Sequence, residues 1–354
     1  DIYGYNFCAV GNSNAMYGTL EPGDHGTHVA GTIAAVNGNG IFGCGIAGGN
    51  GTNKGVRIMS CQTINDKDGA YIGEAFTYAA DNGAVISQNS WGYIYDPQHP
   101  ITYVPVEDKE AIDYFIKYAG YDENGNQEGP MAGGVVIFAA GNDNESYSEY
   151  PGAYHEYISV ASYTTDGLPT GYTNYGPGCN VAAPGGEYEY NFRGSPIYTP
   201  EVYSTLPAET PNPVYQGSKK YNTDYGYMQG TSMAAPHVSG CAALGISFAL
   251  QNGYSFTSSE FKNLLLTSVH DINQYQNGSK QEFDYVSGSY VDIPLEPYQG
   301  KLGAGYIDAH LLLMQIQGTP CLYFQTGEYV YLSLDEYFGG GSSELSYLSA
   351  EISS

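Results

Sequence analysis

Residues 230–251 read GTSMAAPHVSGCAALGISFALQ, and this stretch decides the fold. After a glycine and two hydroxyl residues, almost every position is small or apolar, which predicts a helix over 233–251 that ends at Asn252-Gly253. A helix with so many small side chains packs closely against a sheet, so this one is expected inside an α/β core. Ser232 stands at its N-terminus, where free backbone N–H groups and the helix dipole favour negative charge.

Apolar runs alternate with helical patterns along the chain, which is typical of βαβ units and a parallel sheet. The pattern predicts strands within 56–64 (VRIMSCQTI), 84–92 (AVISQNSWG), 133–142 (GGVVIFAAGN) and 158–167 (ISVASYTTDG), and helices over 73–83 and 107–118. After GKLGAGYIDAHLLL the composition changes to alternating apolar and polar residues. We therefore expect one α/β domain over 1–316, followed by the start of a β-rich C-terminal appendage over 317–354.

The charge balance limits the classes of partner. The chain carries 37 acidic and 11 basic residues, a net charge of −26. Nucleic-acid binding requires clustered Lys and Arg to neutralise phosphates, so no nucleic-acid partner is expected. The acidity is expected to keep the protein soluble, and attraction of basic substrates is the alternative. No run of about 18 apolar residues occurs, which predicts no membrane span.

A second motif, DHGTHVAGT, covers residues 24–32. It places His25 at the entry of a helix of small residues, with its ring free at the helix end. A serine hydroxyl is a poor nucleophile unless a base removes its proton, so a histidine and a serine must be supplied together. The two motifs therefore predict Ser232 as nucleophile and His25 as general base. His28 and His237 lie inside the motifs and are assigned structural roles.

The segments HGTHVAGT and GTSMAAPHVSG resemble the histidine and serine signatures of the subtilisin-like (subtilase) family. FAAGN is similar to the family's segment that ends in the oxyanion-hole asparagine, which carries over to Asn142. NSWG is similar to the strand that lines the substrate cleft and contributes Ser90, Trp91 and Gly92. The resemblance implies an α/β, three-layer fold with a mainly parallel sheet of roughly seven strands. It also implies a secreted or cell-surface serine endopeptidase that hydrolyses proteins or peptides through an acyl-enzyme intermediate.

By the same resemblance, the residues between Asn142 and Tyr150-Pro151 border the primary specificity pocket. This segment contributes Asp143 and Glu149, and Glu149 matches the position at the base of the pocket. A carboxylate there predicts a preference for Lys or Arg immediately before the scissile bond. The alternative is that Glu149 turns to solvent.

The aspartate of the family's catalytic triad lies N-terminal to the histidine, on an earlier strand. Here Asp1 and Asp24 are the aspartates that precede His25. Asp24 is adjacent to His25 and cannot easily turn back to its ring, and Asp1 has no preceding strand. We therefore expect the aspartate on an N-terminal fragment of the same precursor that stays bound; a truncated chain and a pseudoprotease are the alternatives. A catalytically silent fragment would instead bind peptides at the edge strand NSWG by β-augmentation.

Calcium is the cofactor that the resemblance implies, because subtilases often bind it in the loop after the histidine helix; catalysis itself needs no cofactor. Here the loop is VNGNGIFG, residues 36–43, which offers the Asn39 side chain and backbone carbonyls. The loop contains no carboxylate. A glycine-rich helix end explains the segment equally well, so the metal is left unassigned.

Overall fold

The computed structural model describes residues 3–318, with gaps at 12, 42, 52–53, 65–68, 94–97, 99, 192–199 and 208–223. The appendage predicted over 317–354 falls outside the described residues from 319 onward. Its β-rich character and the domain boundary therefore stay predictions.

Strands and helices alternate along much of the chain, as the sequence pattern predicts. The strands are β1 (Tyr5–Ala9), β2 (Met16–Gly18), β3 (Cys61–Gln62), β4 (Ile86–Asn89), β5 (Val135–Ala139), β6 (Ile158–Tyr163), β7 (Val181–Pro184), β8 (Val202–Thr205), β9 (Tyr225–Met228), β10 (Val269–His270), β11 (Ser279–Asp284), β12 (Ser289–Pro294) and β13 (Tyr306–Ile307). The helices are α1 (Asp24–Ala34), α2 (Ile72–Asp81), α3 (Val106–Tyr118), α4 (Thr231–Gln251), α5 (Ser258–Thr267) and α6 (Ala309–Ile316). The helices predicted over 73–83, 107–118 and 233–251 are confirmed as α2, α3 and α4.

The central sheet runs in the order β10-β13-β7-β6-β5-β4 among the described strands. Neighbours from β13 to β4 are parallel, and β10 is antiparallel at one edge. Ile86 of β4 lies opposite Val135 of β5, and Ile137 of β5 lies opposite Ile158 of β6. β5 is buried along its whole length, as expected for a parallel strand covered on both faces. The α/β fold with a mainly parallel sheet is therefore confirmed.

Helix α4 is the main helix of the core. It packs along β4, β5, β6 and β7 and against α1 and α6. A side chain on Gly240 would begin 2.7 Å from Ile46 Cβ, and one on Gly245 would begin 2.8 Å from Leu312 Cδ2, so this packing requires glycine at both positions. By length and composition, α4 could cross a bilayer, although its sequence contains no unbroken run of about 18 apolar residues. However, 72% of its apolar window is buried inside the protein, as is typical of a core helix.

The sheet is interrupted between β3 and β4, where the sequence analysis expects one continuous sheet. The described residues form the central sheet and a separate sheet in the order β2-β1-β3. Of the strand predicted within 56–64, Cys61–Gln62 forms ladder bonds, with β1 on one side. Val56 and Ile64 are 36% and 60% exposed. The interpretation of this segment as a buried strand was wrong, because two of its residues form ladder bonds and its ends reach solvent, whereas a buried parallel strand is covered on both faces.

The two sheets lie under the same layer of helices. α2 follows β3 and precedes β4 in the chain, and it contacts β1 and β3. It also packs against α3, which contacts β5 of the central sheet. Phe76 of α2 and Phe115 of α3 meet edge to face, with 6.2 Å between ring centroids. In the described part of the chain, β3 and β4 are therefore edge strands of two sheets that share one helix layer.

Candidate active site

The start of α4 is held against the end of β4 by a reciprocal pair of contacts. The hydroxyl of Ser90, which follows β4, donates to the Ser232 carbonyl oxygen at 2.6 Å. The Ser232 hydroxyl donates in turn to the Ser90 carbonyl oxygen at 3.4 Å. Gly230 has a φ of 139°, which side chains disfavour, so the turn into the helix requires glycine. Ser232 is thus presented in the first turn of α4, where backbone N–H groups have no partner inside the helix.

Asn142 follows β5, and Thr231 fixes the orientation of its amide. Asn142 Oδ1 accepts hydrogen bonds from the Thr231 backbone N–H at 2.8 Å and from the Thr231 hydroxyl at 2.9 Å. Because the oxygen is held, the Nδ2 group of this exposed residue is left to donate outward. The sequence motifs predicted no role for Thr231. The one indication of a role in the sequence is its position between Gly230 and Ser232.

His25 and Asn142 line the same cleft of about 580 Å³. His25 lies in the first turn of α1. Tyr172 and Gln229 also line the cleft, and the Tyr172 hydroxyl accepts a hydrogen bond from the Gly230 backbone N–H at 2.8 Å. The sequence did not identify these two residues as part of the site, because they lie in loops whose positions depend on the fold. The other lining residues are Asp24, Met228, Gly230 and Met233.

The surroundings of His25 favour the neutral imidazole. Although the residue has exposed surface, desolvation by neighbouring protein atoms lowers its pKa from the ordinary value of 6.5. A neutral ring is the form that can take a proton from a serine hydroxyl. Within the described part of the chain no hydrogen bond orients the ring of His25.

His28 and His237 make contacts that suit structural roles. The Nε2 of His28 lies 3.0 Å from the Val202 carbonyl oxygen and 3.3 Å from that of Gly226. Burial lowers the pKa of His28 to about 4, so the ring is neutral near pH 7 and donates to these oxygens. His237 Nδ1 donates to the Met233 carbonyl oxygen one turn earlier in α4, at 2.8 Å.

Glu149 lies between two glycines beside Asn142. A side chain on Gly92 would begin 2.8 Å from Glu149 Oε2, and one on Gly141 would begin 2.6 Å from Glu149 Cδ. The carboxyl group is therefore turned towards these glycines rather than into open solvent. Burial, followed by a hydrogen bond with Asp143 and the like charge of that residue, raises the pKa of Glu149 to about 8.

Trp91 packs on the core. Its Nε1 donates to Asn89 Oδ1 at 3.1 Å. Its ring meets Phe138 edge to face, with 5.3 Å between centroids. Ser90, Trp91 and Gly92 were predicted to bind substrate. Of these, Trp91 packs its ring against the hydrophobic core.

The loop after α1 offers few ligands for a cation. Asn39 Oδ1 already accepts from the Ile41 N–H at 2.9 Å, while Asn37 Oδ1 is buried without a partner. Among the described residues, no three His, Cys, Asp or Glu side chains are grouped to hold a metal. Calcium takes about six to eight oxygens, so the described residues of the loop do not fit a calcium site.

The sequence of residues 3–288 matches the subtilase family. The chain belongs to this family. The extracellular basic protease of Dichelobacter nodosus is 29% identical over 257 residues, which cover 70% of this chain and 36% of the relative. The thermophilic serine proteinase of a Bacillus species is 31% identical over 247 residues, which cover 69% of this chain and 46% of the relative. This subtilase therefore spans less than half the length of these curated relatives.

A solved protease from Pseudoalteromonas arctica has the same fold. It superimposes on this subtilase with a TM-score of 0.56 at 25% identity, and the match covers 88% of this chain and 76% of that one.

The Thr231 contact generates a prediction about turnover. Thr231→Val removes the hydroxyl that holds Asn142 Oδ1 and keeps the side-chain volume. A hydrogen bond of this kind contributes about 1 kcal/mol, so kcat on a chromogenic peptide should fall about fivefold while KM changes little. Thr267→Val, at the exposed end of α5, is the matched control. An unchanged kcat for the Thr231 variant would show that the amide is oriented without the hydroxyl.

Proposed function

We propose that this subtilase is a serine endopeptidase in which Ser232 is the nucleophile and His25 the general base. The observation that carries the proposal is that His25 and Asn142 line one cleft at the first turn of α4, where Ser232 lies. The substrates are proteins or peptides, and their bonds are hydrolysed through an acyl-enzyme intermediate.

Each step of this reaction uses groups of the chain itself. The Ser232 hydroxyl oxygen attacks the carbonyl carbon of the scissile bond while its proton passes to the neutral ring of His25. Negative charge then develops on the carbonyl oxygen, which accepts hydrogen bonds from Asn142 Nδ2 and the Ser232 backbone N–H. One side-chain donor of this type stabilises the transition state by about 3–4 kcal/mol. His25 returns the proton to the leaving amine, and water cleaves the acyl-enzyme by the reverse sequence.

A location outside the cell or at the cell surface belongs to the same proposal. One relative is named an extracellular protease and another, from Bacillus subtilis, a cell wall-associated protease. The net charge of −26 favours solubility in such a setting.

Ser232→Ala should lower kcat by about a millionfold, because removing the nucleophile of a triad enzyme costs that much. The fold should persist, since the hydroxyl makes one long hydrogen bond of 3.4 Å. Peptide hydrolysis and circular dichroism measure the two effects. Turnover within about tenfold of the parent protein would contradict the assignment.

A fluorophosphonate probe distinguishes the enzyme from a silent peptide binder, because only an activated serine reacts quickly. The parent protein should be labelled at Ser232, and Ser232→Ala should not. A parent protein that binds peptides at the NSWG edge without being labelled would favour the silent binder.

We further infer that the acid that orients His25 lies on a strand contributed by an N-terminal fragment of the same precursor. The open edges of β3 and β4 suit one additional parallel strand that pairs with both. Such a strand would pair with both edges and cover apolar side chains near Val56 and Ile64, which are now exposed. It would also bring a carboxylate to a histidine that no hydrogen bond orients within the described part of the chain.

Native mass spectrometry of the active protein should therefore find a second polypeptide bound to this chain and released on denaturation. Replacing the triad aspartate of that polypeptide by Asn should lower kcat about ten-thousandfold, because His25 loses control of its tautomer. Asp24→Asn is the control and should retain most of the activity. Full activity at the mass of this chain alone would mean that another residue supplies the carboxylate.

The substrate preference of this enzyme follows from Glu149. We propose that its carboxylate pairs with a Lys or Arg side chain immediately before the scissile bond. The carboxyl group lies against Gly92 and Gly141, where an added side chain would begin 2.8 Å from Glu149 Oε2 and 2.6 Å from Glu149 Cδ. The acidic surface of the protein also favours the approach of a basic substrate.

Profiling with a peptide library should show cleavage after Lys or Arg in preference to Phe or Leu. Glu149→Gln should lower kcat/KM for a basic peptide by about thirtyfold or more, because a desolvated charge pair is lost. Glu156→Gln removes a carboxylate whose side chain is 48% exposed and should leave the preference unchanged. Equal or better cleavage after Phe or Leu by the parent protein would contradict the role of Glu149.

A further inference from the structure

Lys280 is a buried cation in strand β11. Its side chain is 0% exposed, and its Nζ donates to Glu187 Oε2 at 2.7 Å. It also forms an ion pair with Glu282, two residues later on the same strand. The cluster thus holds two acidic side chains and one ammonium group, so that removal of the charge of Glu187 would still leave Lys280 paired with Glu282.

Both oxygens of the Glu187 carboxyl group accept hydrogen bonds. Oε2 accepts from Lys280, and Oε1 accepts from the backbone N–H of Gly171 at 2.6 Å. Because donors face both oxygens, these contacts fit the ionised carboxylate, which has no proton to donate. The side-chain amide of a glutamine has one oxygen, so it could accept from Lys280 or from Gly171 but not from both.

Tyr172, the next residue along the chain, joins the two halves of the candidate site. Its hydroxyl accepts from the Gly230 backbone N–H at 2.8 Å and donates to the Gly186 carbonyl oxygen. Its carbonyl oxygen accepts from the backbone N–H of Asn144 at 2.9 Å, two residues after Asn142. The position of this tyrosine is therefore coupled to the turn before the nucleophile and to the loop that carries the oxyanion donor.

Segment 186–191 links strand β11 to the cleft a second time. The backbone N–H of Phe283 in β11 donates to the Glu189 carbonyl oxygen at 2.8 Å. The Glu189 carboxylate accepts in turn from Nε2 of Gln229, which lines the cleft, at 3.0 Å. The strand that carries Lys280 therefore supports the wall of the cleft both through the buried ion pair and through this backbone contact.

We propose that Lys280 and Glu187 are positioning residues for the peptidase reaction, and that their buried ion pair acts through Tyr172. This inference rests on the proposed peptidase function. Lys280 holds the Glu187 carboxylate in place, and the carboxylate holds the backbone N–H that precedes Tyr172. The tyrosine hydroxyl then meets the N–H of the turn that presents Ser232. A displaced turn would slow attack on the scissile carbonyl carbon more than it would weaken substrate binding, because attack requires close alignment of the reacting atoms.

Glu187→Gln tests the upper part of this chain of contacts. The amide keeps the size of the side chain but can accept from one of its two donors, so kcat on a chromogenic peptide should fall about tenfold while KM changes less than about twofold. The variant should fold, because Lys280 stays paired with Glu282. Asp113→Asn, in the partly exposed pair with Lys109, is the control and should leave kcat unchanged. An unchanged kcat for Glu187→Gln would overturn the proposal.

A double-mutant cycle shows whether Glu187 acts through Tyr172. Tyr172→Phe removes the hydroxyl and keeps the ion pair, and it should lower kcat on its own. In that background Glu187→Gln should cause little further loss, because the contact that it controls is already absent. A merely structural role would lower the melting temperature without this coupling in kcat. Two independent losses of kcat, or an unchanged kcat for Tyr172→Phe, would contradict the proposal.

Hydrogen exchange gives a measurement that does not depend on turnover. In Glu187→Gln the backbone amides of residues 230–232 should exchange about tenfold faster than in the parent protein, while those of α5 keep their rates. Asp113→Asn should match the parent protein in both regions. Equal exchange at 230–232 in Glu187→Gln and the parent protein would show that the ion pair does not fix the turn.

The outcomes distinguish this inference from the proposed function. If the parent protein hydrolyses peptides and Glu187→Gln keeps its kcat, the ion pair does not position the site, and the peptidase function stands. If the parent protein neither hydrolyses peptides nor reacts with the fluorophosphonate, the peptidase function fails. Hydrogen exchange then still decides whether the ion pair fixes the turn at Gly230.

Discussion

The candidate site depends on one constraint: the first turn of α4 is bonded to the ends of two neighbouring parallel strands. Asn142, after β5, accepts two hydrogen bonds from Thr231, and Ser90, after β4, exchanges hydrogen bonds with Ser232. Because the strands are parallel and adjacent, their carboxyl ends meet at the same edge of the sheet. The serine hydroxyl and the asparagine amide are consequently held in fixed positions relative to each other. Their relative position cannot change unless the helix separates from the sheet.

Glycine makes this arrangement possible, because the backbone at a glycine can approach other groups more closely than a side chain would permit. A side chain on Gly185 would begin 2.0 Å from Ser162 Oγ and 2.7 Å from the Gly230 carbonyl oxygen. The segment after β7 therefore supports the turn at Gly230 directly, and the Gly230 N–H donates to the Gly185 carbonyl oxygen at 3.1 Å. The Tyr172 hydroxyl donates to the carbonyl oxygen of Gly186 from the same side. Replacing any of these glycines would move the loop that carries the nucleophile.

The elements that the sequence could predict are those determined by local pattern. α2, α3, α4 and β5 follow from apolar spacing and length, and each is found where the pattern places it. The segment 56–64 has an equally apolar pattern, yet most of it forms no ladder, because a strand exists only through its neighbours. At the site, His25, Ser232 and Asn142 lie in sequence motifs that resemble those of the subtilase family, and this resemblance guided their assignment. Contacts between distant segments, such as Asn174 with the backbone of Asp143, leave no local signal and required the structure.

The chain carries a large excess of acid, and it manages buried carboxyl groups in two ways. Glu187 is nearly buried, and Lys280 Nζ lies 2.7 Å from its Oε2, so a cation of the chain itself offsets the charge. Burial raises the pKa of Glu187 while the charge of Lys280 opposes the shift. For Glu149, burial is the main cause of a raised pKa, and the like charge of Asp143 adds to it. Its charge can therefore be offset by a retained proton or by a cation that arrives from outside.

The first arrangement is permanent and suits a structural role, because removing either partner leaves a buried charge unpaired. The second is incomplete without a proton or a cation, and it lies beside Gly141, the residue before Asn142. Desolvation destabilises a carboxylate that has no partner. Once a cation is present, the same desolvation strengthens the attraction between the two charges, because they interact in a medium less polar than water. The same burial that makes Glu149 costly to ionise in the free protein would thus strengthen its pairing with a cation. In this structure, the pairing of each acid, rather than the number of acids, separates the buried charge that the chain offsets with its own cation from the one that it does not.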